Sequence, residues 1–254
     1  MYHLLSVALD GCRGMKSFIR SVMDFVFPRI CSVCGSPFDS EEEPGICPHC
    51  LSQIKYIESP FCSLCGKPFH SEIITEHLCG DCLTRKRYFS KARSVGYYDG
   101  VLRKATHLLK YKLKNHLALS LGHMMVQHVQ YCFNDLAYHS IMPVPLHPAR
   151  LRERGFNQAL FLARSVSTTY TIPLDGYTLT RKRWTKPQVG LSERDRKDNV
   201  RSAFMIVKRD KVADRNILLV DDVYTSGNTV EECSKTLIQA GANRVDVLTL
   251  ARVA

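Results

Sequence analysis

Two groups of residues in this 254-residue chain have the types and spacing for chemistry. One is eight of the eleven cysteines, arranged as four Cys-x-x-Cys pairs: Cys31/Cys34, Cys47/Cys50, Cys62/Cys65 and Cys79/Cys82. A Cys-x-x-Cys pair delivers two thiolates to one tetrahedral ion. The twelve residues between the first two pairs and the thirteen between the last two are enough for a second pair to close a four-sulfur cage. The other group is Asp221 and Asp222, followed by Thr225-Ser226-Gly227-Asn228-Thr229. Ionised carboxylates only accept hydrogen bonds, so the acid pair suits sugar hydroxyls or a hydrated cation. Short polar side chains around a glycine, placed at a helix start, gather N–H and O–H donors on an anion. Together they suit a phosphate attached to a polyol.

The elements that must hold these groups are legible around them. Ile217 to Val220 is a short aliphatic run, which reads as a strand buried on both faces and ending at the acids. Val230, Cys233, Leu237 and Ile238 fall at helical spacing, so a helix is expected from about Thr229 or Val230. Each charge-assisted bond from Thr225, Ser226 or Thr229 to a phosphate oxygen would contribute roughly 1.5–3 kcal/mol. A Thr-Ser-Gly turn on its own needs no ligand, and Thr229 could simply cap the helix. The hydrophobic strand and the acid pair in front of it favour the phosphate.

For the cysteines, the competing reading is a disulfide framework. It requires export, and Leu4 to Leu9 is too short for a signal core and has no basic residue before it. Asp10, before Cys12, spoils a lipoprotein signal. No apolar run approaches the roughly 18 residues of a membrane span, so the expectation is a cytoplasmic protein. Two structural zinc ions are expected, closed by four sulfurs each and leaving no open position for catalysis. Sequential pairing (Cys31, Cys34, Cys47 and Cys50, then Cys62, Cys65, Cys79 and Cys82) is simplest, and interleaved pairing stays open. His49, His70 and His77 are possible substitute ligands. Cys31-Ser-Val-Cys-Gly-Ser-Pro-Phe38 echoes Cys62-Ser-Leu-Cys-Gly-Lys-Pro-Phe69, so the segment reads as two repeats. Residues 30–88 hold too little apolar material for their own core. Metal binding, worth on the order of 10–16 kcal/mol per site in small zinc peptides, would supply the stability. Cys12, Cys132 and Cys233 are read as unpaired buried thiols.

Three parts are expected: an N-terminal helix within 1–29 that buries Phe18, Ile19, Val22, Met23 and Val26 and stops at Pro28, a double zinc module over 30–88, and an α/β domain over 91–254. Residues 1–90 hold nine Lys/Arg against ten Asp/Glu, and residues 91–254 hold twenty-six against fourteen. The basic excess therefore belongs with the phosphate loop and points to anionic partners, a polyphosphate, a nucleic acid or both. Lys91 to Tyr98 reads as a strand, Val101 to Lys112 and Leu117 to Val129 as helices, and Ser140 to Leu146 as a strand leading to Arg150, Arg152 and Arg154. Loops at the carboxyl ends of strands line the crevice of an open α/β sheet, and guanidinium grips phosphate through two parallel bonds. The basic run Lys110 to Lys114 reads as a solvated face, with anion binding as the alternative. Lys186 and the single Trp184 lie in a long basic stretch before the strand at 205–207, which is expected to close over a ligand.

These stretches carry a family resemblance. Val220-Asp-Asp-Val-Tyr-Thr-Ser-Gly-Asn-Thr229 resembles the phosphoribosyl pyrophosphate (PRPP) motif of type I phosphoribosyltransferases, with Tyr224, Ser226 and Asn228 as variants at positions where that family often has Thr, Thr, and Ser or Thr. Val144-Pro-Leu-His-Pro-Ala-Arg-Leu-Arg-Glu-Arg-Gly-Phe-Asn-Gln158 and Thr185-Lys-Pro-Gln-Val-Gly-Leu191, continuing to Arg196, Asn199, Ala203 and Phe204, resemble the ComF family. Its members join a zinc-binding segment to a phosphoribosyltransferase domain, and some act in natural transformation. The resemblance implies a type I phosphoribosyltransferase fold, a mostly parallel sheet flanked by helices. It places Asp221 and Asp222 on ribose hydroxyls, Thr225 to Thr229 around the 5′-phosphate, Mg²⁺ between pyrophosphate and ribose, and the 143–154 segment on the pyrophosphate. A PRPP-binding protein acting in DNA uptake is expected, as a transferase with an unspecified acceptor. A competence factor that binds single-stranded DNA without turnover and a PRPP-sensing regulator are the alternatives, with single-stranded DNA and the uptake machinery as candidate partners.

Overall fold

The computed structural model describes residues 29–39, 45–69, 77–111, 115–133, 136–184 and 200–253. The expected N-terminal helix at 15–27, Cys12, His70, Lys186 and most of the closing stretch lie outside them. In chain order the elements are α1 (Pro48–Ser52), α2 (Gly80–Thr84), β1 (Lys91–Tyr97), α3 (Gly100–Tyr111), α4 (Asn115–Cys132), β2 (Ser140–Pro143), α5 (Pro148–Arg154), α6 (Gln158–Tyr170), β3 (Leu179–Arg181), β4 (Phe204–Ile206), β5 (Asn216–Tyr224), α7 (Asn228–Gln239) and β6 (Arg244–Arg252).

Four strands form a parallel sheet in the order β1-β6-β5-β2, and β3 and β4 pair antiparallel beside it. The two central strands are aliphatic because helices cover both of their faces. Leu218, Val220, Leu248 and Leu250 pack with α3, α4 and α6, whereas Ile217, Leu219, Val245 and Val247 pack with α7. Each fully buried aliphatic side chain contributes roughly 1.5–3 kcal/mol. α4 and α6 meet closely at Gly122, where a Cβ would come within 2.6 Å of the Ser165 Cβ.

Two boundaries differ from the sequence expectation in ways that matter for the site. β5 continues through Tyr224, with Asp221 in register with Thr249 of β6. The acids therefore project from paired strand instead of following it, because β6 supplies a partner along its whole length. The segment after β2 forms a separate short helix, α5, ended by Gly155 at φ 78°. The His147 Nδ1 accepts the Ala149 N–H at its start, and the Asn157 Oδ1 accepts the Ala159 N–H at the start of α6.

The cysteine-rich segment is built onto the sheet. Residues 54–57 run antiparallel along the free side of β1, with Ile57 N–H donating to Val95 O and Tyr97 N–H to Lys55 O. This closes an edge that would otherwise expose unpaired backbone. Cys31, Cys47 and Cys50 join the core on the α3/α4 face, and Cys62, Cys65, Cys79 and Cys82 join the core on the α7 face. The two repeats thus straddle the β1 edge.

Candidate functional site: a basic cleft at the carboxyl ends of the strands

The end of β5 and the start of α7 frame the cleft. Gly227 is the N-cap of α7 at φ 77° and offers no side-chain bond to the first turn. Thr229 therefore does not act as the N-cap, and the start of α7 carries the partial positive charge of a helix N-terminus. Glycine is required here on two grounds. The backbone is left-handed, and a Cβ would lie 2.9 Å from Cε1 of Tyr224 and collide with its hydroxyl. Tyr224 itself is buried, and burial pushes its phenol up to about 12, so it remains a protonated spacer beneath the loop. The buried Ser226 Oγ has no hydrogen-bond partner.

Across a cleft of about 370 Å³, Arg150, Arg154 and Arg181 face Asp221, Asp222, Thr225, Gly227 and Thr229. Arg154 comes from the last turn of α5, lies over the Tyr111 ring at 5.7 Å, and donates to Gln158 Oε1 at 3.3 Å. Arg181 ends β3 and lies over the Phe204 ring at 5.3 Å. The Arg154 and Arg181 guanidiniums, held by aromatic or amide neighbours, have little freedom left to lose on binding an anion, and Arg150 completes a positive wall beside them.

The acidic side is under electrostatic strain. Burial, and then the neighbouring Asp222 carboxylate, push Asp221 up to about 8. The Asp222 N–H donates to Asp221 Oδ1 at 2.9 Å. Lys110, at the last turn of α3, reaches Asp222 Oδ2 at 2.9 Å. Burial alone would lower its pKa, but Asp222 outweighs that and raises it. Two adjacent half-buried carboxylates with one ammonium on Asp222 suit further positive or hydrogen-donating groups. Ribose hydroxyls and a hydrated Mg²⁺ fit this donor set.

Of the residues singled out in the sequence, Asp221, Asp222, Thr225, Gly227, Thr229, Arg150 and Arg154 are brought together. Ser226 and Asn228 belong to the loop without lining the cleft. Arg152 is exposed on α5, away from the cleft, because a seven-residue helix can turn only Arg150 and Arg154, one turn apart, to the same side. Lys110 and Arg181 line the cleft and were not identified as site residues. Lys110 looked like part of a solvated run, and its amphipathic position at the end of α3 was the available signal. Arg181 was one cation among Arg181, Lys182 and Arg183, and nothing local distinguished it.

The cysteines form two sets, Cys31, Cys34, Cys47 and Cys50, and Cys62, Cys65, Cys79 and Cys82, each with its four sulfurs within 4.8 Å of one another. Cys31 and Cys50 sulfurs are 3.9 Å apart, and Cys34–Cys47 and Cys65–Cys79 are each 3.7 Å apart. A tetrahedral zinc with Zn–S bonds of about 2.3 Å requires sulfur separations of about 3.8 Å, so both sets fit Zn²⁺. Pairing is sequential. Backbone N–H groups support the sulfurs, from Cys47 to Cys31 Sγ and from Cys79 to Cys62 Sγ, both at 3.3 Å. The His49 ring bonds Gln53, and the His77 ring stacks on Phe69, so neither belongs to a sulfur set.

Comparison with known proteins agrees with the cages. Residues 22–83 match the double zinc ribbon domain family. Competence protein F of Haemophilus influenzae is 32% identical over 214 residues, covering 82% of this chain and 90% of that protein. The DNA utilization protein YhgH of Salmonella typhimurium is 31% identical over 226 residues, covering 88% of this chain and 90% of the relative. Solved structures similar to the chain include a purine phosphoribosyltransferase from Pyrococcus horikoshii, at 16% identity and a TM-score of 0.34, covering 52% of this chain and 73% of that one. A superposition that loose fixes neither ligand nor activity. No described helix is long and apolar enough to cross a membrane. On the strength of identity along most of both lengths, the chain belongs to the ComF family, that of competence protein F.

Proposed function

We propose that the cleft binds PRPP together with Mg²⁺, and that the protein uses this ligand in the handling of incoming DNA. The observation that carries the ligand is the pairing of the half-buried Asp221–Asp222 step with a helix start at the left-handed Gly227, opposite three arginines. In this reading the α7 first turn, Thr225 and Thr229 hold the 5′-phosphate, and Asp221 and Asp222 accept from the ribose hydroxyls. Arg150, Arg154 and Arg181 grip the diphosphate. Mg²⁺ would offset diphosphate charge and make it a better leaving group. If the ligand turns over, the bond that breaks joins the anomeric carbon to the diphosphate, which leaves with both bonding electrons. Asp221 and Asp222 then stabilise the positive charge that develops on the ribose, and the arginines stabilise the departing anion. A nucleophilic acceptor forms the new bond.

The role in DNA handling is supported by the relatives, competence protein F and the DNA utilization protein YhgH. The net basic composition of residues 150–209, with fourteen Lys/Arg against five Asp/Glu, suits single-stranded DNA as a partner.

Calorimetric titration with PRPP and Mg²⁺ tests the ligand. Saturable binding that disappears in the combined Asp221→Asn, Asp222→Asn variant is expected, and absence of binding in the wild type overturns the reading. A pyrophosphate-release assay across nucleobases and amines then separates transferase from binder. For the DNA surface, about six phosphate contacts would lower affinity on the order of 10³-fold between about 50 and 200 mM salt. Affinity that stays flat with salt rejects that surface.

A further inference from the structure

Among the described residues, the second four-cysteine cage reaches the loop between β5 and α7 through two short chains of contacts, whereas the first packs on the other face of the sheet. Arg252, at the end of β6 and 6% exposed, donates from Nη1 to the Cys65 carbonyl at 2.8 Å, and its Nη2 lies 3.8 Å from Cys65 Sγ. The same guanidinium lies over the Tyr224 ring at 4.2 Å. The other edge of that ring and its hydroxyl fill the space where Gly227 would carry a Cβ. One side chain thus separates a metal-ligand residue from the aromatic on which the loop glycine rests.

The second chain runs through Arg87, five residues after Cys82. Its guanidinium lies beside Cys82 and sits 3.9 Å from Glu231 Oε2. Glu231 lies in the first turn of α7. Its N–H donates to the Gly227 carbonyl at 2.9 Å, and its Oε1 accepts from Tyr88 N–H at 3.0 Å. Two ligand residues of the cage therefore reach both sides of the Gly227 turn. Cys31, Cys47 and Cys50 of the other cage pack into the core on the opposite face of the sheet, against α3 and α4.

We propose that the cage of Cys62, Cys65, Cys79 and Cys82 sets the shape of the phosphate loop, with Arg252 and Arg87 as positioning residues that transmit it through Tyr224 and Glu231. Closing this cage orders the Cys65 carbonyl and the Cys82 sulfur, which fixes two guanidiniums. Those in turn fix the ring beneath Gly227 and the carboxylate in the first turn of α7. Outer contacts of this kind around metal ligands commonly run toward the metal, orienting its ligands. Here they run outward, from the cage to an anion-binding turn. The coupling is a property of the loop itself. Only its consequence for PRPP affinity rests on the function proposed above.

Amide hydrogen exchange of residues 225–231 in the ligand-free full chain tests this, read alongside zinc content. Cys82→Ser should lose one zinc per chain and speed exchange of these amides by about tenfold or more. Cys34→Ser should lose one zinc per chain and leave the same amides unchanged. Because the cysteine variants could lose more than a local contact, Arg252→Met and Tyr224→Leu provide a second arm in which both zincs are retained. Faster loop exchange in these variants with full zinc content supports the coupling. Loop exchange that is unchanged in Cys82→Ser and in both retained-zinc variants overturns it, as does an equal response to Cys34→Ser. Titration of the same proteins with PRPP and Mg²⁺ should show about a tenfold affinity loss for Arg252→Met. If the wild type fails to bind PRPP while loop exchange still follows the second cage, the ligand assignment fails and the coupling stands.

Discussion

The two cysteine cages are near-copies in sequence and differ in what they touch. Cys31 to Phe38 and Cys62 to Phe69 share the same turn, down to a left-handed glycine after the second cysteine, Gly35 at φ 83° and Gly66 at φ 70°. A Cβ on Gly35 would meet nothing within 4 Å, whereas one on Gly66 would lie 2.6 Å from the Ala92 carbonyl of β1. The first repeat makes its close approach elsewhere, at Gly45, where a Cβ would lie 2.6 Å from the His116 carbonyl at the start of α4. The first cage therefore braces the helical face of the sheet, while the second is pressed against the strand edge and reaches the Tyr224–Gly227 turn through Arg252. A duplicated four-cysteine module thus packs on each face of the sheet and comes next to the cleft on only one.

The comparison can be pushed hardest by removing a ligand from the first cage. Cys50→Ala should lose one zinc and cost several kcal/mol, a fraction of the roughly 10–16 kcal/mol seen per site in small zinc peptides because the sheet remains. A Tm more than about ten degrees lower, with one zinc left by metal analysis, is the expected pair of readings. Next in size is the cleft itself. Asp221→Asn combined with Asp222→Asn removes two charge-assisted acceptors at roughly 1.5–3 kcal/mol each, which lowers PRPP affinity about 10²- to 10⁴-fold. Zinc content should stay at two, and any loss of zinc would mean that the acids also hold the ribbons.

The glycine contacts separate the modules more gently. Gly45→Ala and Gly66→Ala each force a backbone contact apart and should cost about 1–3 kcal/mol by denaturant unfolding, with Gly66→Ala the larger because its φ is positive. Only Gly66→Ala should also weaken PRPP binding, and equal effects on binding would erase the distinction between the cages.

The smallest expected effect is in the response to pH. The native carboxyl of Asp221 stands at about 8, above its ordinary value of 3.8. The folded state therefore binds this proton more tightly than the unfolded chain does. Its contribution is fully present below about pH 4 and is lost as pH rises through about 8. Ligand-free protein should lose stability from this group over that window, and Asp221→Asn should flatten the slope. The cages respond in the opposite sense, because acid protonates thiolates and releases metal. Melting curves across pH, with and without a chelator, separate the two slopes.

How much could be read in advance follows from distance along the chain. The cages were legible because each cage joins pairs of cysteines whose spacing states its own geometry. The phosphate loop was legible because a strand, two acids, a glycine and a helix start are consecutive. Even there, the end of β5 was placed too early, since the acids look polar in sequence and only the partner strand β6 keeps them paired. Arg152 was grouped with Arg150 and Arg154 by proximity, and the helix that turns it away was read as a loop. Lys110 and Arg181 were passed over because each stands within a run of cations.

By itself, then, the amino-acid order determined the donor sets, the two repeats and the glycine turn between β5 and α7, all of which are local patterns of a few tens of residues or fewer. The folded chain decided which face of the sheet each repeat occupies and which cations enter the cleft. It also brought Arg252, near the end of the chain, onto Cys65 and Tyr224 together. Those outcomes depend on strand order and on close packing between segments far apart in sequence, and no short window of residues encodes such packing.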